Sequence, residues 1–270
     1  MSVYTPSFSK IFNGTIWKVV ADNESGILFV ESRNGDTRKA VFSSIDIEKK
    51  KELWSNQAIL DPWWSSLKIA EKGNVLIVKF NDPDMPEQRG FAVIDALTGK
   101  VKWGREEAQV MHVESDGILI SEVVGEDESV YSKLDWNDGE LKGTYSMKEL
   151  FATFNKKTQQ TSLITYPFHF EEGHSFFTKI QEYIEIVAKE KAVRMIEYLE
   201  KGDKVLISYY IYIEDKLTNK MLVADEKGAL LLHEELQVGL KGIGMDTFFV
   251  VKDQLIIVKN NNELHAYVIK

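Results

Sequence analysis

The sequence predicts an all-β fold, a single β-propeller domain over residues 1–270, from three observations. First, "FSSIDIEKKKELW" (42–54) and "FAVIDALTGKVKW" (91–103) repeat one pattern 49 residues apart, with the aromatic residue, the Ile-Asp pair and the closing Trp in the same places. Second, five segments place a turn residue before an apolar strand: "SGILFVE", "GNVLIVK", "DGILISE", "GDKVLIS" and "KDQLIIV". Third, each of these strands is preceded by another strand candidate. Four antiparallel strands in about 40–50 residues are typical of a propeller blade.

Each element of this unit has a structural explanation. A blade is buried on both faces, so its third strand becomes a continuous apolar run such as residues 91–94. Asp95 ends that strand and can accept backbone N–H groups of the turn, where Gly99 supplies a positive φ. Trp54 and Trp103 lie on the outer strand, where they can fill the gap between blades. We interpret these residues and their counterparts as architectural: Asp46, Trp54, Asp95, Gly99, Trp103, Asp135, Gly139, Asp225 and Gly228.

The segment "IDALTGKVKW" resembles the repeat of quinoprotein-type β-propellers, in which a strand ending in Asp is followed by Thr-Gly-Lys and a Trp. Residues 42–54 keep the Asp and the Trp but have Lys50 in place of the Gly. The chain is also similar to an uncharacterised bacterial propeller-like family. The resemblance implies architecture rather than activity, because the quinone and calcium ligands of the quinoprotein enzymes have no counterpart that can be placed here.

The repeat favours five blades over six. Its copies are 48, 43, 87 and 50 residues apart, so residues 148–190 form either an insertion or a degenerate blade. Apolar residues there recur with helical spacing, which predicts a helix near 175–188 with Ser175 as its N-cap. The last copy lacks an outer strand, and we expect the N-terminal "VYTPSFSKIF" to pair there and close the ring.

Composition excludes several classes of function. The chain has no cysteine, which removes disulfides, thiolate metal sites and a cysteine nucleophile. A net charge of -9 opposes binding to a nucleic-acid backbone. The N-terminus lacks the basic and apolar regions of a signal peptide, and the apolar runs are too short to span a bilayer. We expect a cytoplasmic protein with no membrane partner.

Few residues indicate chemistry. The histidines of "HFEEGH", His169 and His174, are five residues apart rather than the four that place two ligands on one helix face, so we predict no metal site and no cofactor. "FNDPDMPEQRG" contains Asp82 and Asp84 in a loop, and its "NDP" is similar to the nucleophile segment of five-bladed glycoside hydrolases. A second carboxylate, which such hydrolysis requires, is not identified. A solvated hairpin loop is the favoured interpretation.

The sequence therefore favours a non-enzymatic binding or interaction scaffold for an unknown protein or small molecule. The adjacent Trp63 and Trp64 are candidate anchors for a partner or a sugar. Neighbouring residues of a strand point to opposite faces, so one of the two rings would be exposed. Burial of both rings is nevertheless the favoured interpretation. Phe176 and Ile180 on the inserted helix are the other candidates. The alternatives are a carbohydrate-active enzyme using Asp82 or Asp84, and a structural module that assembles through the helix.

Overall fold

Five antiparallel β-sheets make up the part of the chain that the computed structural model describes, residues 4–81, 87–125, 128–149 and 163–269. These residues divide into two compact units. The three-sheet unit is Asn13–Leu163, and the two-sheet unit combines Met1–Phe12 with Ile164–Lys270. The mainly antiparallel β fold is confirmed, whereas the single domain over residues 1–270 stays a prediction.

The three-sheet unit is built from strands that pair with their neighbours in the sequence. Strand β1 (Phe8–Ile11) precedes it and belongs to the two-sheet unit. The first sheet contains β2 (Thr15–Ala21), β3 (Leu28–Asn34), β4 (Lys39–Asp46) and β5 (Lys51–Gln57). The second contains β6 (Ser65–Glu71), β7 (Asn74–Phe80), β8 (Gln88–Asp95) and β9 (Val101–Arg105). The third contains β10 (Gln109–Glu114), β11 (Gly117–Val124), β12 (Glu128–Leu134) and β13 (Leu141–Tyr145).

The two-sheet unit combines two five-stranded sheets with one helix. After β14 (Ile164–Thr165) come β15 (Phe168–Glu171) and the helix α1 (Ser175–Val187). The fourth sheet has β15 at its edge, followed by β16 (Val193–Lys201), β17 (Lys204–Ile213), β18 (Lys216–Asp225) and β19 (Leu230–Leu240). The fifth has the order β14-β20-β21-β22-β1, with β20 (Phe248–Val251), β21 (Gln254–Lys259) and β22 (Glu263–Val268).

Strand β1 supplies the outer strand of the fifth sheet. It runs antiparallel to β22, with Phe8 opposite Ala266 and Ile11 opposite Glu263. The backbone N–H of Phe12 continues this contact by donating to the carbonyl oxygen of Asn262 at 2.8 Å. The predicted pairing of the N-terminal segment with the last copy is therefore confirmed, whereas closure of a ring stays a prediction.

Apolar side chains of successive sheets form the cores of each unit. In the three-sheet unit, Phe29, Phe42 and Trp54 of the first sheet cluster with Leu67, Ile77 and Ile94 of the second. In the two-sheet unit, one face of the fourth sheet packs on the fifth, with Leu206 and Val223 against Val250 and Leu255. The other face of the fourth sheet carries α1. This arrangement explains the continuous apolar runs, because the strands are buried on both faces.

The architectural residues lie at the turns and outer strands. The turn aspartates accept backbone N–H groups two or three residues further on, namely Asp46 from Lys49, Asp95 from Thr98, Asp135 from Asn137 and Asp225 from Lys227. Trp54 donates through Nε1 to the carbonyl oxygen of Ala96 at 2.9 Å, and Trp103 donates to that of Trp136 at 3.0 Å. Each of these two tryptophans thus hydrogen-bonds to the next sheet's turn.

The helix is present within one residue of its predicted ends, but the predicted N-cap was wrong. The N-cap is His174 rather than Ser175, since the His174 ring accepts a hydrogen bond from the backbone N–H of Phe176. The buried residues of the helix are Phe177, Ile180 and Ile184, whereas Phe176 is exposed. Among the residues described, no helix is long and apolar enough to cross a bilayer.

Candidate functional site

Strand β15 presents different chemistry on its two faces. Phe168 and Phe170 lie opposite Tyr198 and Ile196 of β16, on the face that carries α1. His169 lies between them, opposite Glu197, and therefore on the other face. The alternation places aromatic side chains beside the helix and polar side chains on the face directed towards the fifth sheet.

A cavity of about 390 Å³ lies between α1 and this edge of the fourth sheet. Five aromatic residues contribute to its walls: Phe168, Phe170, Phe176, Tyr183 and Tyr198. Its volume falls within the range of about 300–1,000 Å³ that is usual for small-molecule sites, and an apolar wall with a few polar groups is typical of them.

The aromatic walls are formed by rings that contact one another. The Phe170 and Phe176 ring centroids are 5.4 Å apart, and the His174 ring lies 5.2 Å from Phe170. Phe168 is 68% exposed and Phe176 is 52% exposed, which leaves apolar area open to solvent at the cavity. Ile180 is 8% exposed and lies where the helix packs on the sheet.

Two charged side chains and two tyrosine hydroxyls provide the polar groups. The Lys179 ammonium lies 5.6 Å from the centre of the Phe176 ring. Tyr198 donates a hydrogen bond to Glu200, and burial together with this acceptor raises the pKa of Tyr198. The Tyr183 hydroxyl is buried without a hydrogen-bond partner, and burial followed by the charge of Asp225 raises the pKa of Tyr183. A buried hydroxyl without a partner is costly.

The structure places both helix residues singled out from the sequence at this cavity. Phe176 and Ile180 line it, together with Phe168, Phe170 and Tyr198, which the sequence analysis missed. A sequence pattern for Phe168 and Phe170 was present, because "FHF" places these two aromatic residues on one face of a strand. The contribution of Tyr198 depends on the pairing of β15 with β16, which no local pattern encodes.

The paired tryptophans were wrongly assigned to a strand. Trp63 and Trp64 lie in a turn before β6. Their backbone N–H groups both donate to Asp61 Oδ1, at 2.8 Å from Trp63 and 2.7 Å from Trp64. Both rings are half-buried and contribute to an open hollow. The Trp63 ring lies 5.3 Å from the guanidinium of Arg33, which is held in turn by Glu31. Part of the Trp63 surface is therefore already used within the protein.

The remaining residues to place are the loop aspartates and the histidines of "HFEEGH". Asp82 and Asp84 lie outside the described residues. Three side chains that can hold a metal ion come together elsewhere in the two-sheet unit: His169, Glu197 and Asp246, whose ligand atoms lie within 4.8 Å of one another. His174 is not part of this group, because it caps the helix.

Comparisons with known proteins find similarity in part of the sequence and in the fold. A family model described as a domain of unknown function, DUF4905, matches residues 21–103, the segment that contains both copies of the Asp-to-Trp pattern. No curated protein matches the sequence.

Solved structures resemble the chain at low sequence identity. BamB from Moraxella catarrhalis is 9% identical with a TM-score of 0.37, over 98% of this chain and 86% of BamB. Raptor from Chaetomium thermophilum is 8% identical with a TM-score of 0.43, over 100% of this chain and 29% of Raptor. The β-propeller domain of the Trilobed protease from Pyrococcus furiosus is 12% identical with a TM-score of 0.32, over 94% of this chain and 79% of that one.

Proposed function

We propose that the five sheets are the blades of a five-bladed β-propeller that acts as a non-enzymatic binding module. Two observations support the blade assignment. The described strands of each sheet are all antiparallel, and an Asp-led turn stands before the outer strand of four of the sheets. The fifth sheet takes its outer strand from the N-terminal segment, as expected for a propeller in which the two ends of the chain share a blade.

The aromatic cavity beside α1 is the binding site in this proposal. We propose that its ligand is a small molecule with an apolar, ring-containing body and one anionic or hydrogen-bonding group. The exposed rings of Phe168 and Phe176 would stack on the body of the ligand. Lys179, beside Phe176, would attract an anionic group. The observation that carries the proposal is this cavity, whose aromatic walls remain exposed.

A fluorescent probe with the same chemistry tests the proposal. 1-Anilinonaphthalene-8-sulfonate combines an aromatic body with an anionic group, and we expect it to bind the native protein saturably with one site per chain. The double variant Phe168→Ala/Phe176→Ala should weaken binding about tenfold, which corresponds to about 1.4 kcal/mol. Because both side chains are largely exposed, the variant should keep the fold.

Ile186→Ala is the matched control, since Ile186 is 68% exposed on the same helix and does not line the cavity. Equal affinity for the wild type, the control and the double variant would contradict the proposal. So would the absence of saturable binding to the wild type. Sedimentation of the same proteins distinguishes assembly through the helix: a wild-type oligomer that Phe168→Ala/Phe176→Ala dissociates would favour self-association over ligand binding.

A further inference from the structure

A polar cluster lies on the opposite face of β15 from the aromatic cavity. His169 and Glu197 are directly opposite each other on β15 and β16, and Asp246 approaches from the segment before β20. His169 Nε2 is 3.3 Å from Glu197 Oε1 and 3.1 Å from Asp246 Oδ1. Three side chains from three different parts of the two-sheet unit therefore direct ligand atoms to one place.

The spacing fits a coordination sphere. Zinc binds histidine nitrogen at about 2.0–2.1 Å and carboxylate oxygen at about 2.0–2.2 Å, so two ligands in a tetrahedral site are about 3.3–3.4 Å apart. The two distances from Nε2 are close to that value. The largest separation in the group is within 4.8 Å, and Asp246, at 49% side-chain exposure, has the freedom to close it.

The hydrogen bonds around the cluster leave one nitrogen unused. His169 Nε2 is buried, and despite the two nearby oxygens it has no partner in hydrogen-bonding geometry. Buried polar atoms in native proteins nearly always have a partner. A metal ion would use the lone pair that this nitrogen offers when the imidazole is neutral.

Glu197 is held in place by a separate set of donors. Its side chain is fully buried, and Thr247 donates to its carboxylate through both the backbone N–H and the hydroxyl. The Thr247 hydroxyl oxygen is in turn 2.6 Å from the Ser208 hydroxyl, which can donate to it, and the Asn219 amide donates to Ser208. Hydrogen bonds of this kind orient the carboxylate ligands of metal sites. The negative charge of the Glu197 carboxylate also needs a compensating positive charge, because an isolated buried carboxylate is costly.

From this geometry we propose that His169, Glu197 and Asp246 form a binding site for one divalent cation, with Zn²⁺ as the ion it takes. One imidazole and two carboxylates suit zinc, whereas magnesium and calcium prefer oxygen ligands alone. Two carboxylates also match the charge of the ion. The cluster is separate from the aromatic cavity, so the proposal does not depend on ligand binding there.

Calorimetric titration of Zn²⁺ into the full-length, tag-free and chelator-treated protein tests the site. We expect one site per chain in the wild type and a rise in Tm on adding Zn²⁺, because an ion that binds only the folded state stabilises it. His169→Gln and Asp246→Asn should each weaken binding at least about tenfold, since the loss of even an outer-shell partner costs about 10–100-fold. The two residues are partly exposed, so their loss should leave the protein folded, unlike a change of the buried Glu197.

His265→Gln is the matched control. His265 Nε2 is 3.3 Å from Glu263 Oε2, the same distance as between His169 Nε2 and Glu197 Oε1. Among the described residues this pair is not part of a three-ligand group. The control should bind Zn²⁺ with wild-type affinity. Wild-type affinity in folded His169→Gln and Asp246→Asn would overturn the proposal, as would a wild type that does not bind one equivalent. If His169→Gln fails to fold, the half-exposed Asp246→Asn alone decides. As a second measurement, Co²⁺ should give the visible absorption of a low-coordinate site in the wild type and lose it in Asp246→Asn.

Discussion

Aspartate carboxylates stabilise the turn before the outer strand of four sheets. Asp95 shows how: Oδ1 accepts the backbone N–H of Leu97 at 3.1 Å and both the N–H and the hydroxyl of Thr98 at 2.8 Å. Partial burial alone would raise the pKa of Asp95, but the hydrogen bonds from Thr98 and Leu97 outweigh it and hold the pKa below its ordinary value. The charged form of Asp95 is therefore the one that stabilises the fold.

Replacing Asp95 with Asn tests this role of the charge. Asn keeps an acceptor oxygen but cannot ionise, so Asp95→Asn should lower the free energy of unfolding by about 0.5–1 kcal/mol at neutral pH. Since the folded-state pKa is lowered, the advantage of Asp is complete above the unfolded-state pKa of about 3.9 and is lost as pH falls through the folded-state value. Urea unfolding of both proteins between neutral and acid pH measures it. Asp36→Asn, at an exposed turn, is the control, and a difference independent of pH would contradict the prediction.

Gly139 is required both for its positive φ and for its close contact with Trp103, and comparison with Gly73, which has only the positive φ, separates the two effects. Its φ is +73°, and a Cβ there would lie 2.6 Å from Cε3 of Trp103. Gly73 has a φ of +71° and nothing within 4 Å of the same position. Gly73→Ala should therefore cost only the backbone strain, about 1–2 kcal/mol, and Gly139→Ala should cost about 1–3 kcal/mol more because the Trp103 ring must move. Equal losses in urea unfolding would show that the Trp103 contact is unimportant.

At the level of elements, local sequence patterns predicted the strands well and the cavity poorly. The apolar runs identified β3, β7, β11, β17 and β21 because both faces of these strands are buried. Strand β14 has only two residues and carries no pattern. The side chains of the candidate sites come from pairs such as Phe168 with Tyr198 and His169 with Glu197. Those pairs depend on the register between β15 and β16, which the sequence does not display.

The two corrected elements show how short polar contacts override a pattern. Trp63 and Trp64 are residue types that favour strands, but the Asp61 carboxylate accepts both of their backbone N–H groups and thereby stabilises a turn. At the start of α1, the His174 ring takes the capping position that Ser175 was predicted to fill. In both cases a single side-chain acceptor decides the local backbone, and such acceptors are difficult to rank from sequence.

At the scale of the whole molecule, the two units can be observed separately. The six tryptophans are Trp17, Trp54, Trp63, Trp64, Trp103 and Trp136, and all of them belong to the three-sheet unit. Tryptophan fluorescence therefore reports the unfolding of that unit, whereas far-UV circular dichroism reports the strands of both. Residues 1–12 belong to the other unit, although they precede the three-sheet unit in the chain. A change at the N-terminus is thus a selective perturbation of the two-sheet unit.

Deletion of residues 1–12 should lower the stability of the two-sheet unit selectively. It removes β1 and the buried Phe12 and leaves β22 as an open edge. The loss of one buried phenylalanine costs about 3 kcal/mol or more. Each kcal/mol shifts Tm by about 2–4 °C for 150–250 residues and by more for a smaller unit such as this one, so we expect the circular dichroism midpoint to fall by at least about 6 °C. The tryptophan midpoint should fall less. A synthetic peptide of residues 1–12 should restore the first midpoint by pairing with β22, and a scrambled peptide should not. An unchanged midpoint would contradict the stabilising role of β1, and equal shifts of both probes would show that the two units unfold as one.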